Sequence, residues 1–199
     1  MSSILRNLNF PRLDHFGWIA PHYERVISRV NLVPLLDLLA LSPDHRLLDV
    51  GGGTGRVSGM MTGLVRQIVL TDVSWGMLRQ SEAKDGLQPA NAHAEWLPFP
   101  AGSFDRILMV DAFHHVCNQQ ETVAELMRVL APGGRLVVEE PNIETLRVKL
   151  IALAEKLALM RSHFVRSAVM RQMFEAHGGR VTVHTTPDDN VNVWLVVEG

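Results

Sequence analysis

Leu47-Leu48-Asp49-Val50-Gly51-Gly52-Gly53-Thr54-Gly55 is the stretch on which the fold turns: a short apolar run that gives way to four glycines. Arg46 to Val50 reads as a buried strand, and the glycines as the turn that leaves it. Glycines at such an exit let the backbone take positive φ and come close to a ligand. A helix over Thr54 to Leu64 is expected next, its first N–H groups and positive dipole end facing an anionic ligand group. A nicotinamide-dinucleotide fingerprint would need glycine or alanine three residues after its second glycine. Counted from Gly51 and Gly53, that position is Arg56, so the fingerprint fails. Asp49 lies outside that fingerprint; a carboxylate there can order the turn and hydrogen-bond an ammonium group.

On either side the chain alternates strands and helices. Strands are expected at Gln67 to Thr71, near Asn91 to Ala94, at Phe104 to Val110 and at Arg135 to Glu140. Helices are expected at Ser74 to Lys84, N-capped by Ser74, and at Gln119 to Leu130. Pro132-Gly133-Gly134 makes a turn. Before the glycine run, His15 to Leu41 reads as two helices. After Pro141 a helical region runs to His177, followed by strands at Arg180 to Thr185 and Val191 to Val197. The pattern predicts an α/β fold: a Rossmann-like, mostly parallel seven-stranded sheet with helices on both faces and an antiparallel hairpin at its C-terminal edge. One domain is expected over residues 1–199: cap helices at 1–42, a cofactor-binding core at 46–141, a helical lid at 142–179 and the hairpin at 180–199.

Asp72 ends the second strand, where an acidic residue in an open α/β sheet accepts hydrogen bonds from ribose hydroxyls. With Asp72 beside the glycine turn, the sequence resembles the class I S-adenosylmethionine-dependent methyltransferases. Leu47 to Ser58 is similar to their first motif and Val69 to Leu78 to their second. Trp96 to Pro100 with Gly102 to Asp105 resembles an "LPFPDGSFD" stretch. Asp111 to Val116 looks like the fourth motif, and Leu130 to Gly134 with Arg135 to Glu140 like the "LKPGG" motif. The sequence is similar to the small-molecule enzymes around the ubiquinone/menaquinone C-methyltransferases, whose "AP.YD" segment resembles Ala20-Pro21-His22-Tyr23.

The resemblance implies S-adenosylmethionine as cofactor, a small-molecule methyl acceptor as partner, and a role for each matching residue. Asp49, Gly51, Gly53 and Gly55 would surround the methionine part. Asp72 would bind ribose, Val73 would pack on adenine, and Asp111 would lie beside the methionine end. Tyr23 would close over the cofactor. Where the family often has an adenine-binding Asp, this chain has His93, so the backbone around Ala94 and Glu95 is the alternative adenine site. A non-catalytic protein that binds S-adenosylmethionine or its product is the rival reading. A nucleotide-dependent oxidoreductase is a third, weakened by Arg56.

His114 and His115 follow the fourth strand, at the sheet edge where ligands bind in open α/β folds. Histidine titrates near neutrality and suits general-base work. Neighbouring side chains in an extended segment point opposite ways, so one of the two is expected to face the pocket, with a slight preference for His114. Glu139 or Glu140 is a candidate to reach the substrate. His114, His115 and Cys117 lack a usual zinc spacing, so no metal is expected. Met160, Phe164, Met170, Met173 and Phe174 would give an adaptable apolar pocket under the lid.

Bulk composition narrows the partners. The net charge of -2 gives no global basic field for nucleic acid. A single cysteine, no apolar signal-peptide core and no membrane-length apolar run point to a cytoplasmic protein. Charge is unevenly placed: Asn142 to Arg180 holds seven basic and three acidic residues, net +4, leaving -6 elsewhere. That segment is a candidate for peripheral contact with an acidic membrane surface. Acceptor identity and oligomeric state have no signature in the sequence.

Overall fold

Strands buried on both faces read as mostly apolar runs, and the first strand of this protein, interrupted only by Asp49 after its leading arginine, is one. In the computed structural model, which describes residues 32–157, 162–185 and 191–199, strand β1 (Arg46–Val50) is buried from Leu47 to Val50. Leu48 and Val50 enter one core cluster and Leu47 the other. The same alternation recurs in β4 (Phe104–Val110), β5 (Leu130–Pro141) and β7 (Asn192–Glu198). Ile107, Leu136 and Leu195 face one way, while Leu108, Val137 and Trp194 face the other.

With β2 (Gln67–Asp72), β3 (Leu87–Asn91) and β6 (Arg180–Thr185), these strands form one sheet in the order β3-β2-β1-β4-β5-β7-β6. Strands β1 to β5 pair in parallel, and β7 is antiparallel to both its neighbours. The expected hairpin therefore forms one end of the sheet, with its antiparallel member β7 inside and β6 outermost. Helices α1 (Leu32–Leu39) and α2 (Trp75–Ser81) contribute Leu35, Leu39 and Leu78 to one face. Helices α3 (Gln119–Val129) and α5 (Ser167–Glu175) contribute Val123, Leu126, Met170 and Phe174 to the other. Helix α4 (Leu146–Leu157) lies between β5 and α5 in the chain. The first of the two expected N-terminal helices, with Tyr23, falls outside the described residues.

Four expectations differ from the structure. Pro132-Gly133-Gly134, expected as a turn, lies within the span of β5, where the register against β4 shifts between Leu130 and Arg135. No α-helix forms over Thr54 to Leu64; turns lead into a single 3₁₀ turn at Ser58–Met61. Gly55 and Gly63 have φ of 71° and 83°, which a right-handed helix cannot contain. Gly59 and Thr62 further lower the helical propensity. The third strand lies at Leu87–Asn91, before the expected Asn91 to Ala94, and contains Pro89. It is an edge strand, where a missing N–H need not break a ladder. Of the expected lid pocket, Met170 and Phe174 are buried in the main core and Met173 packs against it, while Met160 lies outside the described residues.

Phe104 at the start of β4 is fully buried, edge-on to Phe99 at 5.0 Å between ring centroids, with the Arg46 guanidinium 5.1 Å over its ring. Phe104→Ala removes that volume from a site walled by sheet and helix. A loss of about 3–5 kcal/mol of unfolding free energy is expected by urea titration. A loss under ~1 kcal/mol would mean that the surrounding core collapses into the space.

Candidate active site

Leaving β1, the chain proceeds to β2 and β3 on one side, while β4 and β5 lie on the other. Ligands in open α/β sheets bind beyond the carboxyl ends of the strands at such a reversal of order. A cleft opens there, holding about 800 Å³ of empty space with its mouth included. Its walls come from the β1 turn (Gly51, Gly53), the β2 exit (Asp72, Val73, Met77), the segment after β3 (Ala92 to Glu95), and the β4 exit (Asp111, Ala112, His115, Val116, Cys117).

Gly51 has φ of 69°, and a Cβ there would sit 2.6 Å from the Cβ of Ala112. At Gly52 a Cβ would meet the Asp49 carboxylate at 2.4 Å. Gly53, at φ 57°, has no atom closer than 3.9 Å to such a Cβ, so its bare backbone faces open cleft. Gly55 is different: it is not on the cleft wall, and a Cβ there would strike Leu87 at 2.4 Å. Its role is to pack the turn against β3.

Asp72 is held by two backbone donors. Gly53 N–H donates to Oδ2 at 3.0 Å and Ser74 N–H to Oδ1 at 2.8 Å. This ties the glycine turn to the β2 exit and fixes the carboxylate at the cleft wall. Ser74 caps α2, its hydroxyl accepting from Met77 N–H at 3.3 Å. Val73 is 56% exposed on the rim. The Glu95 carboxylate accepts Cys117 N–H at 2.6 Å and Asn118 N–H at 3.0 Å, which leaves the Ala94–Glu95 backbone along the wall. His93 lines the cleft beside it, with Nδ1 3.9 Å from Glu95 Oε2.

Behind the turn a smaller recess is bordered by Asp49, Gly51 to Thr54, Arg56, Val57, Val110 and Asp111. Asp49 is buried, and its Oδ2 makes no well-formed hydrogen bond. Burial raises its carboxyl to about 6, with the nearby Asp72 charge adding to the effect. Asp111 has φ of 51° and donates its N–H to Glu139 O at 3.0 Å. Glu139 is also buried; Asn192 donates to its Oε1 at 2.8 Å. Burial first, and then the Asp111 charge, raise Glu139 to about 7.

The two histidines lie in a 3₁₀ turn (Phe113–His115), not in an extended segment, and their side chains are not opposed. Against the slight preference for His114, it is His115 that lines the cleft, whereas His114 is buried and is not on the wall. His114 Nδ1 lies 2.5 Å from Glu140 Oε2, while Glu140 Oε1 accepts Phe113 N–H at 2.8 Å. The His114 ring stacks on Phe164 at 4.2 Å and lies 4.0 Å from the His115 ring. Burial, and secondarily His114, lower His115 to about 3, so it is neutral at physiological pH.

The cleft thus gathers Gly51, Gly53, Asp72, Val73, Ala94, Glu95, Asp111 and His115, with Asp49 on the adjoining recess. Wall residues to which sequence reading gave no role in the site are Met77, Ala92, Met109, Ala112, Val116 and Cys117. Ala112 had a readable signal, since a small residue must sit opposite a glycine turn. The Glu140–His114 pair had none, being 26 residues apart in the chain. The donor set suits S-adenosylmethionine: a buried carboxylate oxygen lacking a well-formed hydrogen bond for an ammonium group, a bare glycine wall, and a fixed carboxylate for vicinal hydroxyls.

Comparison with known proteins agrees. A family model described as a methyltransferase domain matches residues 48–138. The ubiquinone/menaquinone biosynthesis C-methyltransferase UbiE of Teredinibacter turnerae is 36% identical over 115 residues, covering 53% of this chain and 46% of that one. UbiE of Ectopseudomonas mendocina is 32% identical, with 53% and 45% covered. The chain spans about half the length of the curated relatives it matches. Among solved structures, a SAM-dependent methyltransferase of Thermotoga maritima superposes with a TM-score of 0.76 at 21% identity, covering 92% of this chain and 97% of that one. The [4+2]-cyclase SpnF shares the fold too, with a TM-score of 0.70, 16% identity, and 84% and 78% covered. From its matched residues and its strand order, the chain carries a class I S-adenosylmethionine-dependent methyltransferase domain, distantly similar to the UbiE C-methyltransferases.

Proposed function

We propose that the cleft binds S-adenosylmethionine and that the protein transfers its methyl group to a small acceptor through oxygen, carbon or nitrogen. One observation carries this reading. The cleft with the fixed Asp72 carboxylate and the recess with Asp49 adjoin, sharing Gly51, Gly53 and Asp111 on their walls. Asp49 and Asp111 take the ammonium end, and Gly51 and Gly53 allow close backbone approach. Asp72 takes the ribose hydroxyls, Val73 covers one face of adenine, and the Ala94–Glu95 backbone meets its edge. Gly55 supports the turn from beneath.

When bound, S-adenosylmethionine supplies a methyl group activated by its sulfonium; the acceptor's electron pair forms the new bond as the C–S bond breaks. The chain's part is alignment, exclusion of water and disposal of a proton. His115, neutral and on the wall, accepts a hydrogen bond from an acceptor O–H or N–H. With its value near 3 it is too weak to deprotonate a neutral acceptor beforehand. An oxygen nucleophile becomes strongly acidic as it gains a methyl group, and a weak base then suffices to take its proton. His114, clamped by Glu140, stacked on Phe164 and in contact with the His115 ring, acts as a positioning residue.

Calorimetric titration with S-adenosylhomocysteine, with NADH as control, tests the cofactor reading. One-to-one binding of the first alone supports it, and no binding refutes it. Release of S-adenosylhomocysteine across a panel of phenols, quinols and small acids then separates an enzyme from a binding protein.

Asp72→Ala removes charge-assisted bonds worth ~1.5–3 kcal/mol each, so S-adenosylhomocysteine affinity should fall tenfold or more. Asp72→Asn retains one carbonyl acceptor for the turn and should fold normally while still binding more weakly; unchanged affinity would remove Asp72 from the site. A bound ammonium favours ionised Asp49, whose value is raised to about 6. Affinity is therefore full above that pH and falls as pH drops through it, a dependence that Asp49→Asn should flatten. His115→Ala should lower turnover and leave affinity intact. The wild-type rate should show no inflection from His115 above pH 5, because its value lies below that range.

A further inference from the structure

Helix α4 turns three leucines outward. Leu146, Leu150 and Leu153 are 74%, 60% and 53% exposed, whereas Val148 is fully buried. At ~100° per residue, spacings of four and three place the leucines in one stripe opposite the Val148 face. By the same rotation Arg147 falls on one flank of the stripe and Lys149 on the other, and both are exposed. Thr145 starts the helix: its hydroxyl accepts Val148 N–H at 3.4 Å and its carbonyl accepts Lys149 N–H at 3.1 Å. The helix begins just after the carboxyl end of β5, on the sheet edge that carries the cleft.

A leucine stripe costs solvation unless something apolar covers it, and its flanks say what kind of surface that is. Cations on both sides match an anionic, laterally continuous surface better than a discrete hydrophobic groove. The basic excess of Asn142 to Arg180 extends the match, against a chain that is acidic overall. No helix among the described residues is long and apolar enough to cross a membrane, so the contact is peripheral. We infer that α4 docks on an anionic phospholipid surface, its leucines in the acyl boundary and Arg147 and Lys149 at the phosphates. This goes beyond the methyl-transfer reading and does not rest on it.

The test is co-sedimentation of the full chain with phosphatidylcholine vesicles, with and without phosphatidylglycerol. Binding is expected only when the anionic lipid is present and should weaken with salt. Leu150→Glu with Leu153→Glu should reduce it by tenfold or more. Arg147→Ala and Lys149→Ala should each reduce it about fivefold. Neither pair touches the cleft, so S-adenosylhomocysteine affinity should be unchanged in both, which keeps this result separate from the fate of the cofactor reading. Absence of wild-type binding, equal binding to neutral vesicles, or full binding by the glutamate variant would overturn the proposal. So would a concentration-dependent dimer that the glutamate variant abolishes in a protein that ignores vesicles, since the stripe would then cover a second copy of the chain.

Discussion

Between Asp49 and Ala112 there is room for a bare backbone and little else. A methyl group on Gly51 would overlap Ala112, and one on Gly52 would overlap the Asp49 carboxylate. The turn is pressed between the exits of β1 and β4 and tied to β2 through Gly53 and Asp72. Three strand ends are thus held at fixed separation by the absence of side chains. The cleft exists because those ends are spread around a turn that does not fill the space above it. The lost helix after the turn changes how this works. Without a regular helix at Thr54 to Leu64, a macrodipole supplies little of the site's field, which falls instead to individual carboxylates and N–H groups.

Five carboxyl groups sit at the exits of β1, β2, β4 and β5: Asp49, Asp72, Asp111, Glu139 and Glu140. Asp72 accepts two amide hydrogens, and Glu140 takes one amide and an imidazole. Glu139 accepts from Asn192, while one Asp49 oxygen lacks a well-formed bond. Ionising Asp49 and Glu139 in the folded chain is unfavourable, as their raised values record. Their effect on stability runs against the usual carboxylate pattern: the folded state holds protons the unfolded chain has released, so stability declines as pH rises from the ordinary carboxylate range to about 6 or 7. A cationic group bound among them would offset that decline. An edge of this kind is destabilising alone and suited to a positively charged ligand.

The sequence disclosed most where one physical demand acts on neighbouring residues. Strands buried on both faces are mostly apolar, so β1, β4 and β5 are legible in spite of the buried acids Asp49, Glu139 and Glu140. A turn with no room for Cβ must be glycine, and Gly51 could be placed at once. Opposed demands were harder. Pro89 argues against a strand until the strand is known to be an edge, and apolar Met61 and Leu64 argue for a helix that Gly55 and Gly63 prevent. Side-chain direction was hardest of all. The leucine repeat of α4 is the same string of letters whether it faces core or solvent, and only the burial of Val148 decides between them. The choice between His114 and His115 likewise depended on Glu140, a partner that pattern and spacing cannot supply.

The sheet ends also govern how copies of this chain meet. On one side β3 offers Pro89, which cannot donate to a neighbouring strand, so a hydrogen-bonded ladder would be interrupted there. On the other, β6 begins with exposed Arg180 and places Thr182 and Thr185 in water. Growth of the sheet by strand addition is blocked on one edge by a missing donor and discouraged on the other by charge. Crowded copies of this fold are thereby kept from stacking edge to edge into fibres, which leaves the protein free to carry an otherwise long, apolar, seven-stranded sheet.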